Sequence, residues 1–137
     1  MVLFIHGKRL VAEAERDFSL SYPYLKLQFL QYPVNTNDSL RKASPRQRLN
    51  EISSFKADNG SIEVSDKMTI HELRQTLKSK FGLRSYLLRK SGTAWLEVTL
   101  TQEWTLKQQN DHGRELSEEK LPPATIPEDY DLRRDPE

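Results

Sequence analysis

The sequence predicts an α+β protein. Three observations carry that prediction: a strand–helix–strand pattern over residues 61–90, the same plan 59 positions earlier, and a serine-glycine turn between two β-prone runs after the second unit.

The second unit is the clearer of the two. "SIEVSD" (61–66) alternates apolar and polar residues, the pattern of a half-buried strand. "TIHELRQTLKSKFG" (69–82) follows. Thr69 and Glu72 stand at the capping-box spacing, in which the threonine oxygen accepts from a backbone N–H and the glutamate reaches back. Ile70, Leu73, Leu77 and Phe81 form one apolar stripe at helical spacing. Gly82 can adopt the left-handed conformation that ends a helix. "LRSYLLRK" then reads as a strand.

In the first unit, "VLFIH" (2–6) is the strand and Val11, Ala14, Phe18 and Tyr22 repeat the stripe. Pro23 falls where Gly82 ends the later helix, and "YLKLQFL" (24–30) is the return strand. Leu10 occupies the place of Thr69, so this copy lacks the hydroxyl cap. The match is one of pattern and predicts a repeated shape.

Residues 33–60 read as a long connection holding one short helix, "SPRQRLNEIS", with Ser44 as cap, Pro45 at the first position, and Leu49 and Ile52 inward. After the second unit, "RSYLLRK" and "TAWLEVTLT" flank Ser91-Gly92, a hairpin signal because glycine tolerates positive φ. Leu96, Val98 and Leu100 would face the core, and Trp95, Glu97 and Thr99 the other side. Thr105 is expected to cap a short helix through Gln108, closed by Gly113, with Trp104 stapling its start. The element order suits a ferredoxin-like sheet, mixed or antiparallel, with helices on one face; a ubiquitin-like roll is the alternative.

Composition bounds the rest. The 137 residues fit one domain, here taken as 1–116, and 117–137 is expected to be an acidic, disordered tail holding four of the seven prolines. Residues 1–100 carry 16 Lys/Arg against 10 Asp/Glu; residues 101–137 carry 5 against 10. No run approaches the ~20 apolar residues of a membrane helix. "MVLFIHGKRL" has its charge after its apolar burst, the reverse of an export signal, so a cytoplasmic location is expected. With no cysteine, thiolate chemistry and cysteine-based zinc sites are excluded. His6, His71 and His112 have no ligand spacing, and neither a G-x-S-x-G elbow nor a phosphate-binding glycine loop is present, so the expectation leans away from an enzyme and names no cofactor or metal.

The remaining signal is a candidate binding surface over 89–110. Arg89 and Lys90 supply charge, and Trp95 and Trp104 supply aromatic anchors of the kind found in binding hot spots. Gln108, Gln109 and Asn110 supply amides that both donate and accept. Trp95 either packs against Trp104 or is exposed to a partner. An unknown protein, adding a strand to the sheet edge, is the expected ligand. The alternative is weak nucleic-acid binding by the basic body, with Tyr86 and Trp95 as stacking faces and the tail screening it.

The stretch "RKSG…WLEVT…EWTLKQQNDHGRELS", with "MTIHELRQTLKSKFGL" and "YPYLKLQF", resembles a small family of functionally uncharacterised bacterial proteins. The resemblance covers most of residues 1–118. It implies a bacterial cytoplasmic protein and transfers no catalytic residue.

Overall fold

The computed structural model describes residues 1–31, 41–53 and 60–118. Ten elements follow in order: β1 (Val2–Ile5), α1 (Val11–Ser21), β2 (Leu25–Gln31), β3 (Arg41–Lys42), α2 (Leu49–Ile52), β4 (Gly60–Glu63), α3 (Ile70–Phe81), β5 (Arg84–Ser91), β6 (Ala94–Glu97) and α4 (Leu106–Glu118). The α+β class holds, with two β–α–β units and a hairpin strand. All strand pairs are antiparallel, divided between a sheet of order β1-β4 and a sheet of order β3-β2-β5-β6. The expected tail and the stretches 32–40 and 54–59 of the long connection lie outside the described residues, apart from the last turn of α4.

One core serves both units. Val11, Ala14 and Phe18 of α1 and Ile70, Leu73, Leu77 and Phe81 of α3 are buried, as the two stripes predicted. They join Leu25, Leu27 and Phe29 of β2, Leu87 of β5, and Leu3, Ile5 and Ile62 of the smaller sheet. Each fully buried Leu, Ile or Phe contributes about 1.5–3 kcal/mol, and these side chains come from both halves, so the two units share one interior.

The repeat extends to backbone contacts. Arg9 N–H donates to the His6 carbonyl at 2.9 Å, and Met68 N–H to the Ser65 carbonyl at 3.1 Å. Leu10 N–H donates to Glu13 Oε1 at 3.0 Å, and Thr69 N–H to Glu72 Oε1 at 2.9 Å. Leu49 N–H donates to the Arg9 carbonyl at 2.9 Å, and Leu106 N–H to the Met68 carbonyl at 2.8 Å. The isolated bridges Leu10↔Arg48 and Thr69↔Thr105 also match, each just before the final helix of its half. Each half is therefore β–α–β–β–α. The pair Leu3↔Ile62 joins positions 59 apart, and β2 pairs with β5 as β1 pairs with β4, so both sheets are built across the two halves.

Departures from the sequence reading are local. Thr69 Oγ1 accepts from Glu72 N–H at 3.0 Å and Gly82 takes φ 64, as expected of a capped helix. The short helix begins at Leu49, with Arg48 as cap, not at Ser44-Pro45. Ser44 instead closes a tight turn: its hydroxyl accepts from Arg46 N–H at 3.3 Å and its own N–H donates to Gln47 Oε1 at 2.8 Å. Leu49 and Ile52 are buried as expected. The last helix does not stop at Gly113 but runs through it to Glu118; the glycine there lets α4 pass close to Tyr24 and Arg89. A Cβ on Gly113 would lie 2.9 Å from Tyr24 Cβ.

Candidate functional site

The β5–β6 hairpin turns at Gly92, whose φ is 65 with nothing within 4 Å of a built Cβ. The glycine is therefore required by conformation, not by crowding. Pairing of Arg89 with Leu96 and of Lys90 with Trp95 fixes which side chains share a face. The expected cluster is split by this alternation: Arg89 faces α4, while Lys90 and Trp95 lie on the open side of the sheet.

On the α4 side the polar groups engage one another. Arg89 Nη1 donates to Gln109 Oε1 at 2.6 Å, and its guanidinium lies 6.0 Å from the centre of the Trp104 ring. Burial lowers the Arg89 pKa. Gln109 is fully buried, and its Nε2 donates to the Thr101 carbonyl at 2.7 Å and to Thr101 Oγ1 at 2.8 Å. Asn110 Oδ1 accepts from Tyr24 N–H at 2.9 Å. Gln108 Oε1 accepts from Thr105 N–H at 2.9 Å while Thr105 Oγ1 accepts from Gln108 N–H at 3.1 Å, a capping box with glutamine in the glutamate's role. All three amides thus hold α4 in place. Trp104 meets His112 edge-on at 5.6 Å and remains 38% exposed.

Beside this cluster lie two apolar residues expected in the core. Leu96 is 54% exposed and Leu100 is 95% exposed; of that run only Val98 is buried. β6 ends at Glu97, so the alternation that would carry Leu100 inward stops before it. The signal in the sequence was Arg89, the partner across the turn from Leu96: a face that carries a guanidinium is a poor place for a deep core position. Among the described residues no strand pairs with the outer edge of β6.

The open side of the sheet is chemically different. Strand alternation brings Lys26, Gln28, Leu30, Lys42, Arg84 and Tyr86 to it, continuing through Lys90 to Trp95. Lys26 Nζ sits 4.6 Å from the centre of the Trp95 ring, a cation–π contact. The Tyr86 phenol is pushed up by burial, with Glu97 and Glu15 adding to the effect. Trp95 and Trp104 are therefore on opposite sides of the hairpin and do not pack together.

His6 stacks on Phe4 at 6.4 Å, His71 is on α3 and His112 is on α4. Among the described residues no three His, Asp or Glu side chains gather as a metal site requires, and no helix is long and apolar enough to cross a membrane.

No protein-family model, curated protein or solved structure matches this chain.

Proposed function

We propose that this chain is a non-enzymatic protein-interaction module that receives an extended peptide along the outer edge of β6. One observation carries the reading: among the described residues no strand pairs with the outer edge of β6, and Leu96, Leu100 and Trp104, within nine residues of sequence, are all exposed. An exposed edge offers backbone donors and acceptors to an added strand, and neighbouring apolar side chains select its residues. Arg89, Gln109 and Asn110 act behind this surface by fixing α4 and the Trp104 ring, rather than by touching the partner. Such a module in the bacterial cytoplasm also agrees with what the sequence resemblance implies.

The test is quantitative affinity capture from the native cell with the parent chain and with a Leu96→Lys/Leu100→Asp variant. Both positions are exposed, so the thermal midpoint should stay within a degree or two of the parent. The captured partner should be lost from the variant and should slow hydrogen exchange at Ala94–Glu97 in the parent. Equal capture by both chains, or a partner that leaves the β6 amides unprotected, would defeat the reading.

A second reading is supported by the open face of the large sheet. Three basic side chains, Lys26, Lys42 and Lys90, share that face with Tyr86 and Trp95, together with Glu97. Single-stranded nucleic acid stacks on such aromatics at about 1–3 kcal/mol per base. That reading requires binding of a short single strand that weakens steeply with salt and is lost in a Tyr86→Ala/Lys90→Gln variant. No binding at low salt excludes it.

A further inference from the structure

Where α3 faces the start of β5, at the opposite end of that strand from the hairpin, the surface sinks into a pocket of about 210 Å³. Its polar walls are His71, Arg74, Gln75, Lys78, Arg84 and Ser85, with Leu30 as the apolar wall. None of the seven is acidic. Arg74, Lys78 and Arg84 bring three permanent cations to its wall, a lining that favours an anion.

Two further features point to a bound oxyanion. Arg74 is already oriented: its Nε donates to the Ser85 carbonyl at 2.7 Å and its Nη1 to Gln102 Oε1 at 2.7 Å. A guanidinium held at two nitrogens presents a fixed plane, which is the arrangement suited to recognising phosphate or carboxylate. Ser85 is 3% exposed, and its buried Oγ has no hydrogen-bond partner among the described residues. A buried hydroxyl is ordinarily paired, and this one belongs to a residue of the pocket wall.

We infer that this pocket binds the phosphate group of a small phosphorylated metabolite. The volume lies below the ~300 Å³ at which drug-sized ligand pockets begin, so it suits a phosphate with a short organic remainder. The inference is independent of the β6 reading.

The test measures the thermal midpoint and backbone amide shifts of the full chain in inorganic phosphate and in glycerol phosphate, each against chloride at equal ionic strength. A single-stranded thymidine oligonucleotide forms a third arm. The parent should be stabilised by both phosphates beyond chloride, with saturating shifts at Arg74, Arg84 and Ser85. Lys78→Gln/Arg84→Gln should weaken binding roughly tenfold, the loss expected when charge-assisted bonds are removed. Ser85→Ala, which deletes only the unpaired hydroxyl, should keep its midpoint in chloride and bind phosphate more weakly. No response beyond chloride, or unchanged affinity in both variants, overturns the inference. Tighter binding of the oligonucleotide than of glycerol phosphate at the same amides also overturns it, by assigning the pocket to a nucleic-acid surface.

Discussion

The carboxylate of Glu15 accepts a hydrogen bond from the backbone N–H of Phe29 at 2.9 Å. It thereby closes the edge of β2 beyond the two-residue strand β3. Arg74, the residue 59 positions later, does the converse at the edge of β5 by donating to the Ser85 carbonyl. Both half-repeats have short outer strands, and in each a side chain from the preceding helix satisfies the backbone group left over.

This position makes Glu15 pH-sensitive. Burial raises its pKa from 4.5 to about 7, against the lowering effects of the Phe29 N–H, Lys26 and Lys42. Between these two values the folded chain holds a proton that the unfolded chain has released. Stability from this group is therefore greatest below pH 4.5, declines as pH rises towards 7 and is level above it. After allowance for solvent screening the decline is at most ~2 kcal/mol. Glu15→Gln keeps an acceptor for Phe29 and cannot ionise. Its denaturation midpoint should match the parent near pH 4.5 and exceed it at pH 8.

Gly113→Ala sets two effects against each other. Helix propensity favours alanine by about 1 kcal/mol. The added Cβ would also lie 3.1 Å from both Arg89 Cγ and the Tyr24 carbonyl oxygen, beyond its approach to Tyr24 Cβ. Overpacking of this kind costs about 1–3 kcal/mol. The clash should win, because its contacts lie on or next to the backbone, and urea unfolding should show a net loss of stability.

Gln109→Leu should cost about 1–3 kcal/mol, because it leaves the Thr101 carbonyl and Arg89 Nη1 without their buried partner. Exposed Trp104→Ala should cost less by the same assay. The ranking separates residues that hold α4 from those that face a partner.

Thr69→Ala removes the hydroxyl half of the capping box at α3 and should cost about 1 kcal/mol. The reciprocal change, Leu10→Thr, supplies the cap that α1 lacks; the Glu13 side of the box is already in place at 3.0 Å. Thermal unfolding of the pair should move in opposite directions.

These residues also explain which parts of the fold the sequence could reveal. α3 was legible because its cap, stripe and stop at Gly82 lie within fourteen consecutive residues and act locally. α2 was misplaced because its start is set by the long-range bridge from Arg48 to Leu10, whereas Ser44-Pro45 carries the local signature of a start and makes a turn. The candidate surface was located in the correct stretch, but its roles were not legible. A glutamine such as Gln109 reads as solvent-facing until the threonine and arginine that enclose it are known. Leu96 and Leu100 read as core until the length of β6 is known.

Because β1 pairs with β4 and β2 with β5, neither half owns a finished sheet. The molecule resembles a symmetric dimer whose two subunits have been joined into one polypeptide. Severed between Ser53 and Gly60 and co-expressed, the pieces should behave as obligate mates, each unfolded alone, with a melting temperature that climbs as their concentration is raised.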